Sequence, residues 1–356
     1  MRRPDPLPTW EEIADLASAD GVTHHGVAPA DVLERARTAL VERKAQGLDA
    51  GMAFTYRNPE RSTDPQRAVE GARSILVFAK PYLAEHEPDR PPGVQARVGR
   101  YAWVDHYEPL RTSLRAIAKR IRAAGHRAVA FADDNAIVDR EVAYLGGLGW
   151  FGKNANILLP GAGSFFVLGS IVTTAEYPPS EPMADGCGTC TRCLDGCPTG
   201  AIVAPGVVDG NRCLAWLVQR AGTFAVEYRE ALGDRLYGCD DCQEVCPPSV
   251  RFGNRHRVSI HEPDVQAWVD VLDLLDADDH TLIARHGRWY VPDRDPDIWR
   301  RNALIVLGNT ADPTDERAHR TLDRYRSHPN GLLREHADWA TRRLAERFAE
   351  PALDRP

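Results

Sequence analysis

Hydrophobic and polar residues in the first half of the chain alternate between helical and strand patterns. Apolar positions recur at helical spacing over residues 30–47, 108–125 and 139–149, and Gly47 ends the first of these segments. Thr9 and Glu12 form a capping-box pattern ahead of an earlier helix. Short apolar runs typical of buried strands lie at residues 74–80, 127–132, 156–160 and 164–174. This alternation predicts an α/β domain in which helices cover a mixed sheet.

Two amphipathic segments near the C-terminus, residues 295–312 and 331–348, have a different character. Each combines arginines, a tryptophan and a face of alanine and leucine, and together they resemble a pair of solenoid-type repeats. An arginine-lined helical face is suited to a phosphate backbone. A packed helical cap with its arginines in solvent is the other interpretation.

Length and composition restrict the class of protein. The 356 residues predict two or three domains, and 43% hydrophobic with 27% charged residues is ordinary for a globular protein. No apolar run approaches the length of a membrane span, and the N-terminus lacks the apolar region of a secretory signal, so we expect a cytoplasmic protein without membrane contact. The net charge of −7 argues against a general nucleic-acid binder but permits a local basic patch.

All eight cysteines fall between Cys187 and Cys246. The first run is Cys187-x2-Cys190-x2-Cys193-x3-Cys197, followed by proline. Disulfides are disfavoured in a reducing cytoplasm. Structural zinc uses paired thiolates and has no use for three cysteines at this spacing. A 4Fe–4S cluster uses three cysteines at this spacing, because a short loop supplies three of its ligands. The cysteine before proline then serves another cluster.

A second run, Cys239-x2-Cys242-x3-Cys246-Pro247, lacks its first cysteine, and Cys213 is the one left to replace it. We therefore predict two 4Fe–4S clusters with ligands exchanged between the runs, while zinc and disulfides are the alternatives. The first cluster is assigned to Cys187, Cys190, Cys193 and Cys246, and the second to Cys197, Cys213, Cys239 and Cys242.

Two adjacent clusters indicate one-electron transfer to another centre in the chain. The stretch GGLGWFGKN does not match a dinucleotide-binding loop, because it lacks the G-x-G-x-x-G spacing and an acidic partner at the right distance. Polar residues predicted at strand ends are better candidates for lining a ligand crevice, although each also fits a solvated loop or cap. They are Asp133, Asp134, Asn135, Lys153 and Asn154.

Several motifs resemble those of the epoxyqueuosine reductase family, in the same order, over residues 10–345. They are Asp139-Arg140, GWFGKN at 149–154, the cysteine run with its CPTGAI end at 187–202, EYREALGDRLYGCDDCQEVCP at 227–247 and RNALIVLG at 301–308. The resemblance implies an α/β + α architecture with a corrinoid-binding α/β domain at 1–178. A ferredoxin-like double-cluster domain at 179–255 and a HEAT-like helical region at 256–356 would follow it.

The resemblance also implies a function: a monomeric, cobalamin-dependent oxidoreductase that reduces epoxyqueuosine to queuosine in the tRNA anticodon loop. Its electrons would come from a donor such as a flavodoxin or ferredoxin. Asp133 matches the family's proton donor, and Lys153 matches the lysine of its GKN motif. The expected corrinoid contacts are Arg61, Arg100, Lys153, Asn154, Ile157 and Leu168. The chain has no Asp-x-His-x-x-Gly lower-ligand motif, so cobalamin enters only through the resemblance.

The chain departs from the family pattern near the expected substrate. Asp134-Asn135 replaces a glycine or threonine run, the order at residues 105–107 is DHY in place of DYH, Ser170 replaces a glutamate, and Ala221 replaces a lysine. Two alternatives therefore stay open beside the tRNA-modifying reductase. One is a corrinoid iron–sulfur reductase acting on a small molecule, and the other is an electron-transfer module for a partner enzyme.

Overall fold

The computed structural model describes residues 5–260 and 265–349, without the side chains of residues 252–254. The chain forms two compact units, each assembled from three stretches. The first unit comprises Met1–Glu85, Asp105–Asn211 and Asp241–Ile260, and the second comprises His86–Val104, Arg212–Asp240 and His261–Pro356. The three-domain division expected from the sequence has boundaries at other positions, and it stays a prediction.

The strands are short, and most belong to the first unit. Within the described residues they are β1 (His24–Pro29), β2 (Ser74–Pro81), β3 (Gln95–Val98), β4 (Ala128–Phe131), β5 (Trp150–Phe151), β6 (Ile157–Leu158), β7 (Phe166–Thr173), β8 (Ile202–Ala204), β9 (Val207–Val208), β10 (Arg235–Tyr237) and β11 (Trp268–Asp270).

Helices follow or precede most of these strands. They are α1 (Trp10–Ala19), α2 (Glu34–Ala45), α3 (Ala53–Tyr56), α4 (Pro59–Ser62), α5 (Pro65–Ala68), α6 (Tyr107–Ala123), α7 (Asp139–Leu145), α8 (Arg192–Asp195), α9 (Leu214–Leu217), α10 (Arg229–Leu232), α11 (Asp241–Glu244), α12 (Pro247–Phe252), α13 (Val271–Asp276), α14 (Asp279–His286), α15 (Pro296–Thr310), α16 (Glu316–Arg326) and α17 (Gly331–Ala349). Short 3₁₀ helices lie at Arg100–Ala102, Val226–Tyr228, Gly253–His256 and Pro292–Arg294.

The main sheet of the first unit has the order β1-β2-β7-β4. All three neighbouring pairs are antiparallel, with Ser74 opposite Thr173 in the central pair. The expectation of a mixed sheet is therefore wrong for these four strands. Alternating helices and strands indicate crossover connections, but they do not fix strand direction when long segments lie between paired strands.

Local signals in the sequence explain the helices of the first unit. The capping box of Thr9 and Glu12 is present at the start of α1, where each side chain accepts from the other residue's backbone N–H. Helix α6 buries Leu110, Leu114 and Ile117 along one face and packs against β4 and β7. Helix α7 packs on β1 and β7 and so brings the residues at its N-terminus close to the end of β4.

The second unit combines a small sheet, β10-β3-β11, with a group of C-terminal helices. Helix α15 packs against α13 and α17, and its residues 298–308 are buried, including Trp299. Arg300 and Arg301 are buried too, so they are not part of a solvent-facing arginine surface, whether for a phosphate backbone or for water. Both interpretations of the α15 arginines are wrong, because their guanidinium groups bind partners inside the unit.

Candidate active site and cluster-binding cysteines

The structure brings together four cysteines of the first unit, and they are the four assigned to the first cluster. Burial raises the pKa of the Cys193 thiol, and the nearby Cys246, Cys187 and Cys190 raise it further. The pKa of the Cys246 thiol is raised as well, by burial and then by Cys187 and Cys190. Such mutual influence requires the four sulfurs to share one small region. Binding iron relieves it, because the metal's positive charge stabilises the thiolates.

These thiols fit a cluster better than a single ion. Among the described residues, no group of three His, Cys, Asp or Glu side chains is arranged to hold one metal ion. The thiolates of a 4Fe–4S cluster bind different iron atoms, so they stand farther apart than the ligands of one ion. None of the eight cysteines forms a disulfide. The donor set therefore suits iron–sulfur clusters.

Cys246 is held by the start of α12. The backbone N–H and hydroxyl of Ser249 both donate hydrogen bonds to its sulfur, which opposes the rise of its pKa. The Ser249 hydroxyl also accepts from the backbone N–H of Ser164 at 3.3 Å. Gly163, with φ of +83°, permits this approach, since a Cβ there would lie 2.5 Å from the Cα of Ser249. The Gly163–Ser164 turn therefore positions the last ligand of the first set.

The remaining four cysteines are divided between the units. Cys197 of the first unit accepts a hydrogen bond at its sulfur from the backbone N–H of Ala201, at 3.2 Å, and Cys242 follows Asp241 in α11. In the second unit, Cys213 is the N-cap residue of α9, and Cys239 follows β10 after Gly238, whose φ is +79°. Their assignment to the second cluster stays a prediction from the spacing.

The GKN motif contacts both cysteine-bearing segments of the first unit. Lys153 donates from Nζ to the carbonyl of Gly188, between Cys187 and Cys190, at 2.7 Å. The buried Asn154 donates from Nδ2 to the carbonyl of Cys242 at 3.1 Å. Two residues expected to contact a corrinoid thus hold the backbone of cluster-binding loops.

Asp133 lies on a turn just after β4. Its φ is +54°, in the left-handed region, which aspartate adopts more readily than most residues other than glycine. Its side chain is 53% exposed and lies 3.8 Å from an Nη of Arg111. Arg111 is fixed by a hydrogen bond from Nε to the carbonyl of Ala132. The carboxyl is therefore presented to a ligand while one side remains bound to the protein.

The partial burial of Asp133 favours its protonated form. Partial burial raises its pKa above the ordinary value, Arg111 opposes the rise, and the carboxylates of Asp105 and Asp134 add to it. The pKa of Tyr107 on α6 is raised as well, by burial and then by Asp133 and Asp139. A group that keeps its proton to higher pH than usual is suited to general acid catalysis.

Asp139, the first residue of α7, is a second carboxyl in this group. Its Oδ1 is buried and has no hydrogen-bond partner among the described residues. Burial raises its pKa well above the ordinary value, and the charge of Asp133 raises it further. Burial and the charge of Asp133 thus both favour the protonated form of Asp139. Sequence reasoning named Asp139 only as part of a motif, although its place beside Arg140 at the start of a predicted helix is a visible signal.

The other expected corrinoid contacts are in varied environments. Arg61 is exposed on α4, Ile157 is buried in the core of the first unit, and Leu168 on β7 packs against that core. Arg100, in the second unit, is paired with Glu87 and Asp240, and its backbone N–H donates to Asp240 at 2.7 Å. The assignment of these residues, with Lys153 and Asn154, as corrinoid contacts stays a prediction.

Ser170, the residue that replaces a family glutamate, is fully buried in the centre of β7. It pairs with Val77 on one side and Phe131 on the other. Its hydroxyl has no hydrogen-bond partner in the described part of the chain. The structure gives this hydroxyl no binding role.

Comparison with known proteins finds two family models that match this chain. A family model described as "4Fe-4S double cluster binding domain" matches residues 186–249. A second, described as "Epoxyqueuosine reductase QueG, DUF1730", matches residues 62–134, which end just after Asp133. The structure contains no helix in its described residues that is long and apolar enough to cross a membrane.

Relatives and solved structures cover nearly the whole chain. An epoxyqueuosine reductase of Xanthomonas campestris is 32% identical over 96% of this chain and 97% of its own length. One from Gloeobacter violaceus is 39% identical over 86% of this chain and 98% of its own.

A crystal structure of epoxyqueuosine reductase with an epoxyqueuosine-modified tRNA stem loop is 28% identical, covers 94% of this chain and 89% of that one, and has a TM-score of 0.84. The Bacillus subtilis enzyme, with its catalytic aspartate loop swung out of the active site, is 27% identical, covers 94% and 90%, and has a TM-score of 0.85. The chain belongs to the epoxyqueuosine reductase family.

Proposed function

We propose that this protein reduces the epoxide of epoxyqueuosine to give queuosine in the anticodon loop of tRNA. The observation that carries the proposal is the full-length similarity to epoxyqueuosine reductases, 32% identity over 96% of the chain. A family structure with an epoxyqueuosine-modified tRNA stem loop supports tRNA as the partner. The cysteine geometry supports the same reaction, because epoxide removal requires a supply of electrons.

The reaction has a simple balance. Removing the epoxide oxygen takes two electrons and two protons, breaks two C–O bonds, forms a C=C bond and releases water. Each 4Fe–4S cluster passes one electron at a time. Cobalamin, which we propose as the second cofactor on family membership, supplies two-electron chemistry at carbon when bound.

The protons are assigned to residues of the first unit. Asp133 is the proposed proton donor, because its carboxyl is presented at the end of β4 with a raised pKa. Asp139 is the proposed holder of a further proton, because its pKa is raised well above the ordinary value by burial and its buried Oδ1 has no hydrogen-bond partner in the described residues. Arg111 orients the Asp133 carboxylate once its proton has left.

The finer assignments of the proposal rest on the spacing and on the family. The two ligand sets are those given above, in a double-cluster domain at 179–255 between a cobalamin-binding domain at 1–178 and a helical region at 256–356. A flavodoxin or ferredoxin is the proposed electron donor, and the protein is proposed to act as a monomer in the cytoplasm. Lys153 and Asn154 are proposed to support the cluster loops, in view of their carbonyl contacts.

The test is anaerobic reconstitution of the full chain with iron, sulfide and cobalamin. The reduced protein is offered tRNA that carries epoxyqueuosine, and queuosine is measured by nucleoside mass spectrometry. Formation of queuosine supports the proposal. If the cobalt is reduced and no queuosine forms, the tRNA reductase is rejected in favour of a corrinoid reductase with a small-molecule substrate.

The Asp133→Asn variant tests the proton donor. We expect turnover to fall by about 10²–10⁴-fold, the usual contribution of a general acid, with the cluster absorbance unchanged. Asp134→Asn is the matched control, since Asp134 is the next residue, is exposed, and uses its Oδ1 to accept from the backbone N–H of Ala136. Equal activity of Asp133→Asn and wild type would remove Asp133 from the mechanism.

A further inference from the structure

Helix α15 carries two adjacent buried polar residues that the reaction does not use. Arg301 is 1% exposed and Asn302 is fully buried. No carboxylate accepts a hydrogen bond from Arg301 among the described residues, and burial lowers the pKa of its guanidinium to about 9, with the charges of Arg229 and Arg220 adding to the effect. A buried guanidinium bound to neutral acceptors is costly, so its presence calls for a specific role.

The acceptors of Arg301 lie in the segment that follows Cys213. One Nη donates to the carbonyls of Arg220 and Gly222, each at 2.6 Å. The other Nη donates to the carbonyl of Leu217 at 2.9 Å, at the end of the short helix that Cys213 caps. The planar guanidinium thus fixes three carbonyls of one turn, which an ammonium group on a flexible stem would not match.

Asn302 connects this segment to the one that carries Cys239. Its Nδ2 donates to the carbonyl of Val218 at 2.8 Å and to that of Leu236, on β10, at 3.1 Å. Val218 is five residues after Cys213, and Leu236 is three residues before Cys239. The Oδ1 of the same amide accepts from Nε and Nη of Arg301. One side chain therefore bridges the two cysteine-bearing segments of the second unit, and its neighbour fixes its orientation.

We propose that Arg301 and Asn302 are positioning residues for the second cluster, because they set the separation of the segments that carry Cys213 and Cys239. The inference rests on the two-cluster part of the proposed function and assigns a role to C-terminal helices that contain no cysteine. A cluster needs its thiolates at fixed corners, so a shift of either segment weakens it. The first cluster takes its ligands from the first unit and does not depend on this pair.

The chain offers a matched control on the same helix. Asn309, two turns after Asn302, also donates from Nδ2 to two backbone carbonyls, those of Arg229 and Gly233, at 2.7 and 3.3 Å. Neither acceptor lies in the two segments described above. Asn302→Ala and Asn309→Ala therefore each remove two hydrogen bonds donated to backbone carbonyls, but only the first touches segments next to cluster ligands and also removes an acceptor of Arg301.

The experiment compares full-length wild type, Asn302→Ala, Asn309→Ala and Cys213→Ala after identical anaerobic reconstitution. Iron and sulfide are counted, and the reduced proteins are examined by electron paramagnetic resonance. We expect about eight irons in wild type and Asn309→Ala and about four in Cys213→Ala and Asn302→Ala, since one of two cubes is lost. The spectrum of Asn302→Ala should match that of Cys213→Ala. Arg301→Lys, which keeps the charge but loses the planar fork, should give the same spectrum.

A failure of the inference and a failure of the proposed function would give different results. Retention of about eight irons and a wild-type spectrum in Asn302→Ala overturns the inference. Loss of both clusters in Asn302→Ala, or an equal loss in Asn309→Ala, also overturns it, because the role would then be general stability. A wild-type protein that holds zinc in place of iron overturns the proposed function itself, whereas two clusters in wild type with an unaffected variant overturns the inference alone.

Discussion

Replacing Asp139 by asparagine should make the protein less sensitive to rising pH. In the folded protein, burial and the charge of Asp133 raise the pKa of Asp139 well above the ordinary value, whereas the unfolded chain has a normal carboxyl. The folded state therefore holds a proton that the unfolded state has lost. The stability that is present below the ordinary carboxyl pKa is lost as the pH rises toward the raised pKa. Asparagine does not titrate in this range, so the variant does not lose stability in this way as the pH rises.

The size of the effect follows from proton linkage. While Asp139 stays protonated in the fold, each rise of one pH unit lowers the free energy of unfolding of the wild type by about 1.4 kcal/mol relative to that of the variant. For a unit of this size that corresponds to a relative shift in Tm of about 3–5 °C per pH unit. The buried amide of the variant lacks partners and adds a penalty of about 1–3 kcal/mol, which does not change with pH. The test is therefore how the Tm difference between variant and wild type changes with pH, and not the size of that difference at one pH.

The assay is anaerobic thermal unfolding of wild type and Asp139→Asn at matched scan rates between pH 5 and 7. We expect the Tm of the variant minus that of the wild type to increase steadily with pH. Asp134→Asn, a change at an exposed carboxylate of the same loop, should show no comparable trend. A difference for Asp139→Asn that stays constant across this range would mean that Asp139 is ionised in the fold, and it would remove Asp139 as a proton holder.

Three further substitutions test the supporting contacts. Asn154→Ala removes the donor to the Cys242 carbonyl and should cost about 1–3 kcal/mol, seen as a lower Tm with loss of iron; unchanged iron content would contradict it. Gly163→Ala places a Cβ 2.5 Å from the Cα of Ser249 and should abolish the resonance signal of the first cluster while the second remains. Ser170→Ala removes a buried hydroxyl without a hydrogen-bond partner in the described residues and should leave the Tm equal or slightly higher; a clearly lower Tm would reveal a missed partner.

Sequence patterns predicted the elements of the first unit well, because their signals are local. The apolar run at 74–80 became β2, and the helical spacing at 108–125 became α6. The prediction of a mixed sheet was wrong, since the antiparallel pairing of β2 with β7 joins segments about ninety residues apart, and nothing in either segment specifies the direction of its neighbour. The boundaries of the two units depend on the same long-range contacts.

The candidate site was predictable where chemistry imposes a spacing. Three cysteines at x2 intervals identify a cluster loop, and a family model of a double-cluster domain matches residues 186–249, whereas the crosswise division of the ligands stays a prediction. Asp139 was not singled out, because burial and not residue type raises its pKa. The contacts of Lys153 and Asn154 were missed for a similar reason, since a lysine or an asparagine that binds a backbone carbonyl has no sequence signature.

The proposed role of Asn302 means that the matched cluster segment, residues 186–249, contains all eight cysteines but depends on a helix outside it. In the full chain, Asn302 reaches Val218 across 84 residues and Leu236 across 66. Truncating the side chains of Arg301 and Asn302 would leave the buried carbonyls of Leu217, Val218 and Leu236 without these donors, at about 1–3 kcal/mol each. That sum is a large fraction of the stability of an ordinary domain. Under this proposal the C-terminal helices support the second cluster as well as the fold, although they contain no cysteine.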